Sequence, residues 1–273
     1  MRLMWAGGPT TRIELGAFRI LTDPTLGEGP EAFVMRRHPT TGELNVPIAR
    51  LAPLPDVRLD DLDAVIASHL HADHFDATAV ERLDSSLPVL APTANVPLLR
   101  DWGFGQVTGL DWGQDMTWHK DGQRLRVAAV PAHHAHDSGA SHELGVVNGY
   151  LIEHHTADSA FRIYWTGDTV WFDELHDITG AMPRVDLLLP HLGGVGKTGG
   201  PWGLISLDGA EGSRVTTVVN PDTVIPIHHS TFDFYAEPIE EYARSLKASG
   251  YPGQLVILRE GETWTGPRST AKR

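Results

Sequence analysis

Residues 68–76 read SHLHADHFD and bring four metal-ligand side chains into six positions, namely His69, His71, Asp73 and His74. Histidine accounts for only 15 of the 273 residues, so this concentration needs a chemical explanation. In an extended segment, side chains two residues apart point to the same side, about 6 to 7 Å apart at the backbone. His69 and His71 can therefore reach one ion. Asp73 and His74 follow where the chain turns, and they can face a second ion beside the first.

Further ligands must come from other parts of the chain, because one loop cannot close a tetrahedral zinc site. Since the chain has no cysteine, any metal has to be held by His, Asp or Glu. Three later segments, each at the end of a predicted strand, offer such residues. They are VPAHHAHD with His133, His134 and His136, YWTGDT with Asp168, and IPIHHSTF with His228 and His229.

The complete His-x-His-x-Asp-His motif, followed in order by histidine, aspartate and histidine, resembles the metallo-β-lactamase superfamily of metallo-hydrolases. Together with GGPT and LTDPT near the start, these motifs are similar to the branch that contains ascorbate-phosphate lactonase-like and N-acyl-phosphatidylethanolamine phospholipase D-like enzymes. The resemblance spans residues 1–265. It implies an α/β protein, a four-layer αββα sandwich, with two divalent metal ions at one edge. Zinc is the usual metal of this family, and manganese and iron are the other options.

The resemblance also implies which ion each side chain holds. The first ion would be bound by His69, His71 and His134, the second by Asp73, His74 and His228, and Asp168 would bridge them. His134 is preferred to His133 because relatives place the ligand three residues after a proline, here Pro131. His228 is preferred to His229 because it directly follows the predicted strand VIPI. Each choice is open to a shift of one position.

The activity that the resemblance implies is hydrolysis. Two divalent ions roughly 3.5 to 4 Å apart can share a hydroxide, because they lower the pKa of bound water from about 15.7 towards 7. Asp73 is expected to bind metal and to orient this nucleophile, which makes it the predicted catalytic residue. The expected reaction is cleavage of a small ester, lactone or phosphodiester, and the donor of the leaving-group proton is left unassigned.

Three alternatives remain open at this point. The first is a nuclease or phosphodiesterase of the same superfamily that acts on nucleic acid. The second is an iron-dependent redox protein on the same scaffold, although flavo-diiron relatives usually carry Glu where this chain has His71. The third is a protein that binds metal without catalysis.

The predicted elements place the motif at the end of a strand. AVIAS, residues 64–68, reads as a buried strand, and Asp76 can cap a helix with Ala79, Val80 and Leu83 on one face. The start of the chain, RLMWAG, TRIELGAF and RILTDP, reads as antiparallel strands. Residues 26–60 are rich in Pro and Gly, and we predict an irregular excursion, either a functional lid or a poorly packed insertion. Further strands are predicted at PVLA, LRVAAVPA, GVVNGYLIE, FRIYWTG, VDLLLP, DTVIPIH and QLVILRE, and helices at 93–101, 171–181, 206–218 and 238–249.

Composition narrows the partners. A net charge of -13 disfavours the phosphate contacts that dominate binding to nucleic acid, so a small-molecule substrate is expected. We see neither a signal-peptide apolar region nor an apolar stretch of the roughly 20 residues that span a membrane, and this predicts a cytoplasmic protein. We expect one domain over residues 1–265 and a flexible tail at 266–273. The oligomeric state is left open, with a homo-oligomer as one option.

Residues 193–200, GGVGKTGG, resemble the end of a phosphate-binding loop, but the first Gly of that pattern is replaced by His191. We therefore expect a loop on the substrate side, with Lys197 either an anchor for an anionic group or simply solvated. Trp171 and Trp202 lie close in sequence to the site segments and are candidates for an aromatic pocket.

Overall fold

The structure, a computed structural model, describes residues 1–266. Its strands are β1 (Arg2–Gly7), β2 (Thr10–Leu15), β3 (Phe18–Thr22), β4 (Phe33–Arg37), β5 (Leu44–Ile48), β6 (Ala64–Ile66), β7 (Pro88–Pro92), β8 (Gln106–Leu110), β9 (Asp115–Lys120), β10 (Gln123–Pro131), β11 (Asn148–His155), β12 (Ala160–Trp165), β13 (Leu187–Leu189), β14 (Thr223–Val224), β15 (Gln254–Leu255) and β16 (Thr263–Thr265). The helices are α1 (Ala77–Arg82), α2 (Val96–Asp101), α3 (Ser138–Leu144), α4 (Glu174–Ala181), α5 (Gly209–Val219) and α6 (Ile239–Ser249), with short 3-10 turns at Gly29–Glu31 and Thr93–Asn95.

Two large sheets of seven strands each form the body of the molecule. The first has the order β16-β1-β2-β3-β6-β7-β8 and the second the order β15-β14-β13-β12-β11-β10-β9. In each sheet, four consecutive strands pair antiparallel and the remaining three continue in parallel. Helices cover the outer faces, so the predicted α/β sandwich of four αββα layers is confirmed.

The main core lies between the two sheets. It contains large, fully buried side chains from both of them, including Trp5 and Ile13 of the first sheet and Tyr150 and Trp165 of the second. Each such side chain contributes roughly 1.5 to 3 kcal/mol of hydrophobic free energy when it is removed from water. This core fixes the distance between the sheets, and thereby the positions of the loops at their edges.

Two further apolar layers hold the helices. Ala79 of α1 and Leu99 of α2 pack on the outside of the first sheet, whereas Val215 of α5 and Leu246 of α6 pack on the outside of the second. The predicted cap of α1 is confirmed, because the side chain of Asp76 accepts a hydrogen bond from the backbone N–H of Ala79 at 2.7 Å.

The prediction of an irregular excursion over residues 26–60 is wrong in its centre. Strands β4 and β5 form an antiparallel hairpin there, with Phe33 opposite Ile48. Strands β8, β9 and β16 and helix α3 were also not predicted. The β9–β10 hairpin has a detectable signal, since Asp121-Gly122 forms its two-residue turn with positive φ at both positions.

The structure does not test the predicted flexible tail or the predicted single domain. Residues 267–273 of the predicted tail lie outside the described residues, and one domain over 1–265 stays a prediction. None of the helices within residues 1–266 combines the length and the apolar character that a bilayer crossing requires.

Candidate metal centre

The loops that carry the predicted ligands meet at one edge of the sandwich. Strands β10 and β12 are each antiparallel to β11, so their carboxyl ends point the same way, and β13 and β14 continue in parallel with β12. The loop after β6 of the first sheet joins this edge. The structure brings all seven predicted side chains together there, in one group of His69, His71 and His134 and a second group of Asp73, His74, Asp168 and His228, and within each group the ligand atoms lie within 4.8 Å of one another.

The segment SHLHADHFD adopts a tight turn that presents its side chains to this edge. The backbone N–H groups of His74 and Phe75 both donate to the carbonyl of His71, each at 2.9 Å. Phe75 is buried in the apolar layer beneath α1. The hydroxyl of Thr25 donates to the carbonyl of Asp73 and ties the turn to the loop after β3. The turn is therefore held from both sides.

The first group is a compact triangle of imidazole nitrogens. Nδ1 of His71 lies 2.9 Å from Nε2 of His69 and 3.1 Å from Nε2 of His134. The other ring nitrogen of His71 is 2.9 Å from the carbonyl oxygen of Leu144, and that of His134 is 2.9 Å from the carbonyl oxygen of Ile205. Metal-binding histidines are usually oriented by a hydrogen bond of this kind.

The second group combines two imidazoles with two carboxylates. Nε2 of His74 lies 3.5 Å from Oδ2 of Asp73 and 3.3 Å from Oδ2 of Asp168. Nε2 of His228 lies 3.6 Å from Oδ2 of Asp73 and 3.6 Å from Oδ1 of Asp168. The carbonyl of Leu192 orients His228 through its Nδ1, at 2.9 Å. The two oxygens of Asp168 thus face different histidines.

Asp23 belongs to this site although the sequence did not identify it as a functional residue. Its carboxylate is fully buried and accepts hydrogen bonds from Nδ1 of His74 at 2.6 Å and from the backbone N–H of Ser68 at 2.7 Å. The hydroxyl of Ser68 lies 2.9 Å from Nδ1 of His69. Asp23 follows β3 and Ser68 follows β6, and the parallel pairing of these two strands brings the residues together. His191, also buried, lies 3.8 Å from Asp23.

Burial and neighbouring imidazoles make the first group electrically neutral. Burial, followed by the nearby histidines, lowers the pKa of His69 well below its ordinary value. Burial likewise lowers the pKa of His71 to about 4. Neutral imidazoles have the free lone pair that a metal ligand requires.

Carboxylates dominate the second group. Burial alone would lower the pKa of His74, but Asp168, Asp73 and Asp23 raise it well above its ordinary value. Burial alone would raise the pKa of Asp168, whereas His228 and His74 lower it well below the usual range. The carboxylates of this group are therefore ionised, and they attract positive charge into a buried place.

Unsatisfied polar atoms provide a direct test of whether a metal fits. Nε2 of His74, Nε2 of His228 and Oδ1 of Asp168 are buried and have no hydrogen-bond partner among the described residues. A buried polar atom without a partner costs about 1 to 3 kcal/mol. A divalent ion would satisfy all three atoms at once, and the His and Asp donor set suits zinc as well as manganese or iron. The residues present fit the metal that the motif predicts.

The histidines that the sequence left as alternative ligands make other contacts. His133 lies outside both groups and stacks on Phe172, with ring centroids 4.0 Å apart. His229 packs against Trp5 at 4.6 Å. Nε2 of His136 lies 2.8 Å from a carboxylate oxygen of Glu211. Among the alternatives, the structure therefore brings His134 and His228 to the cluster.

Lys197 does not have the free ammonium group that an anion anchor needs. Its Nζ lies 2.6 Å from a carboxylate oxygen of Glu237 and 2.9 Å from one of Asp208. These contacts tie residues 193–200 to the start of α5. Trp202 lies beneath the guanidinium of Arg37 of β4, 5.1 Å from its ring centroid.

Comparison with known sequences identifies the family. The family model described as the beta-lactamase superfamily domain matches residues 18–229. An uncharacterized protein of Mycobacterium tuberculosis is 29% identical, over 94% of this chain and 66% of that protein, so the chain spans just under two thirds of this relative. N-acyl-phosphatidylethanolamine-hydrolyzing phospholipase D 1 of Caenorhabditis elegans is 26% identical, over 95% of this chain and 74% of that protein. A metal-dependent hydrolase of Archaeoglobus fulgidus is 25% identical, over 97% of this chain and 98% of that protein.

Solved structures show the same fold at lower identity. A possible metal-dependent hydrolase of Veillonella parvula has a TM-score of 0.77 at 19% identity, over 97% of this chain and 99% of that chain. Isothiocyanate hydrolase from Delia radicum gut bacteria has a TM-score of 0.76 at 21% identity, over 97% of this chain and 99% of that chain. CmlA, a diiron beta-hydroxylase of Streptomyces venezuelae, has a TM-score of 0.63 at 15% identity, over 96% of this chain and 53% of that chain. With most of its length matched by the family model, the chain belongs to the beta-lactamase superfamily, and its two-sheet sandwich is the metallo-β-lactamase fold.

Proposed function

We propose that this protein is a metal-dependent hydrolase that binds two zinc ions and cleaves a small ester, lactone or phosphodiester. The observation that carries the proposal is the pair of adjacent groups, one of three imidazoles and the other of two carboxylates and two imidazoles. The names of the relatives support the reaction class, since one is called a metal-dependent hydrolase and another hydrolyses N-acyl-phosphatidylethanolamine. These names differ in substrate, so they leave the substrate class broad.

Each group would hold one of the two ions. The first ion would be held by His69, His71 and His134, and the second by Asp73, His74 and His228. Asp168 would connect the two ions. Its Oδ2 lies 3.3 Å from Nε2 of His74, whose ring is 4.0 Å from that of His69 in the first group, and this position next to the junction of the two groups supports the role. Bound zinc ions act as Lewis acids towards the substrate and lower the pKa of a water molecule from about 15.7 towards 7.

Asp73 is the proposed catalytic residue. Burial on its own would raise the pKa of Asp73, but the neighbouring His74 and His228 lower it. Asp73 is therefore ionised at neutral pH and accepts a hydrogen bond from the attacking water, which directs a lone pair of that water towards the substrate. Asp23 and the carbonyl of Leu192 keep the two adjacent imidazoles in place while this occurs.

Metal analysis combined with turnover tests the proposal. Apoprotein is reconstituted with zinc, manganese or iron, its metal content is measured, and it is offered lactones, aryl esters and bis-aryl phosphodiesters. Hydrolysis that a chelator abolishes and zinc restores is the expected result. A protein that holds two ions per chain and hydrolyses none of these compounds would be a metal-binding protein without catalysis, and the proposal would be wrong.

An iron-dependent redox protein is a second candidate, and the fold shared with a diiron beta-hydroxylase favours it. The first group argues against this role, because it offers His71 where flavo-diiron proteins usually carry a carboxylate. Bound iron, oxygen consumption and absence of hydrolysis in the same preparation would support this candidate over the zinc hydrolase.

A further inference from the structure

Tyr235 is a tyrosine next to the metal centre that the proposed function has not used. Its oxygen is buried and has no hydrogen-bond partner among the described residues. The ring lies against His228, with centroids 4.8 Å apart and an edge-to-face angle of 67°. The hydroxyl end of the ring lies near Gly8, whose carbonyl accepts a hydrogen bond from the backbone N–H of His228 at 2.8 Å. An unpaired hydroxyl therefore lies next to a histidine of the second group.

The chain holds this ring in place with considerable precision. The backbone N–H groups of Ala236 and Glu237 donate to the carbonyl of Gly193, at 2.9 and 3.0 Å. Gly193 has φ of +92°, and a Cβ at this position would lie 2.7 Å from Cδ1 of Tyr235. Gly8 has φ of +53°, and a Cβ there would lie 3.3 Å from the Tyr235 hydroxyl. Both glycines leave room for the ring and its hydroxyl.

A second buried tyrosine, Tyr164, has a hydroxyl in different surroundings from that of Tyr235. The hydroxyl of Tyr164 is also buried without a partner in the described part of the chain, but it lies in the apolar layer under α4, α5 and α6. The ring of Tyr235, by contrast, lies against His228 of the second group. Of these two hydroxyls, that of Tyr235 is the one next to the metal centre, and as a phenol it can donate a hydrogen bond.

We propose that the hydroxyl of Tyr235 is a catalytic group that donates a hydrogen bond to the substrate oxygen on which negative charge develops. This inference rests on the proposed hydrolase function and adds a residue to it. For an ester, the oxygen of a water-derived hydroxide forms a bond to the carbonyl carbon while the π electron pair moves onto the carbonyl oxygen. Tyr235 donates to that oxygen and retains its proton. When the carbonyl re-forms, the alkoxide leaves with its electron pair and takes a proton from solvent.

The magnitude of the effect follows from the geometry of such donors. Removal of one donor that stabilises a developing oxyanion typically lowers kcat by about 10² to 10³-fold. Since the hydrogen bond strengthens only as charge develops, KM should change little. The variant Tyr235→Phe removes the hydroxyl and keeps the ring against His228, and Tyr164→Phe is the matched control.

The test combines kinetics with binding of a tetrahedral anion. With zinc-loaded protein and para-nitrophenyl butyrate, Tyr235→Phe should lose about 10² to 10³-fold in kcat with KM and zinc content unchanged, whereas Tyr164→Phe should match the wild type. Calorimetry with butylphosphonate, which resembles the tetrahedral intermediate, should show at least about tenfold weaker binding to Tyr235→Phe, in keeping with the loss of one hydrogen bond to a charged group.

Two results would overturn the inference. One is a Tyr235→Phe variant with wild-type kcat and wild-type affinity for butylphosphonate. The other is a loss of kcat that accompanies a loss of zinc or a lower melting temperature, because this would assign the hydroxyl a structural role. If the wild type hydrolyses no ester, the proposed function fails, and the phosphonate measurement still decides whether the hydroxyl faces a bound anion.

Discussion

Asp168 is the side chain on which the two-ion proposal depends most, because it contacts His74, the histidine of the second group that packs against His69 of the first. We expect Asp168→Ala to lower kcat by at least about 100-fold, since even the loss of a residue that only orients a ligand costs 10 to 100-fold. Metal analysis should show about one ion per chain in place of two, as the three imidazoles of the first group are untouched. Asp177→Ala is the control, because that side chain is 93% exposed. Unchanged activity of Asp168→Ala would contradict the bridging role.

His133 and His134 are adjacent in sequence but lie in different surroundings. Nε2 of His134 joins the first group, whereas the ring of His133 stacks on Phe172. We expect His134→Ala to weaken zinc binding by more than about 100-fold and His133→Ala to leave it within a few-fold. Competition with a chromogenic zinc chelator measures both affinities. The opposite order would assign the ligand to His133.

For individual residues, the sequence predicts the metal ligands but not the groups that orient them by hydrogen bonds. Four of the seven proposed ligands lie close together in sequence, within SHLHADHFD. Such a dense group of histidine and aspartate is difficult to explain except by metal binding. The orienting groups of His71 and His134 are backbone carbonyls of Leu144 and Ile205, and any residue type supplies a carbonyl. Asp23 was missed for a related reason, because its contact with His74 depends on the pairing of β3 with β6.

Among the elements, α1 has the most direct connection to the centre, since it begins at Ala77, three residues after His74. Asp76 caps α1 at Ala79, and its other oxygen accepts a hydrogen bond from the backbone N–H of Gly27 at 2.6 Å. Asp76→Ala removes both acceptors. We expect it to lower the free energy of unfolding by about 1 to 3 kcal/mol, of which the cap contributes about 0.5 to 2.

Chemical denaturation of zinc-loaded protein measures this change. Asp84→Ala is a suitable control, because Asp84 is exposed and accepts its hydrogen bond from Ser86 in a surface turn. A stability of Asp76→Ala equal to that of Asp84→Ala would show that the cap and the Gly27 contact contribute nothing measurable.

Elements without strong patterns were the ones that the sequence did not reveal. Helix α3 has seven residues, SGASHEL, and lacks the apolar stripe that would predict a helix. Its last residue, Leu144, nevertheless orients His71 through its backbone carbonyl. Hairpin β4–β5 buries Phe33 and Ile48 but exposes the equally apolar Val34 and Leu44, so its residue types do not show which face is buried. Long, strongly apolar strands such as β10 and β11 were predicted within a few residues.

The net charge of the whole molecule bears on which kind of substrate the protein can bind. A net charge of -13 repels polyanions, and this argues against the nuclease alternative more directly than any feature of the cluster. The same charge is compatible with a small ester or lactone, which carries little charge of its own. The proposed reaction class therefore rests on the centre, whereas the argument against large anionic substrates rests on the net charge.

Each group takes its ligands from both sheets, so a bound ion cross-links the two halves of the sandwich. His69 and His71 follow β6 of the first sheet, and His134 follows β10 of the second. A ligand that binds only the folded state at 100 times its Kd adds about 2.7 kcal/mol of stability. For a protein of this size each kcal/mol shifts Tm by about 2 to 4 °C.

We therefore expect EDTA to lower Tm by roughly 5 to 10 °C in thermal unfolding followed by circular dichroism, and added zinc to restore it. The effect should disappear in the double variant His134→Ala/Asp168→Ala, in which each group has lost a ligand, and it should persist in Asp177→Ala. An equal Tm with and without EDTA in the wild type would mean that no cation joins the two sheets. The buried imidazoles and carboxylates would then have to be satisfied by protons and water alone.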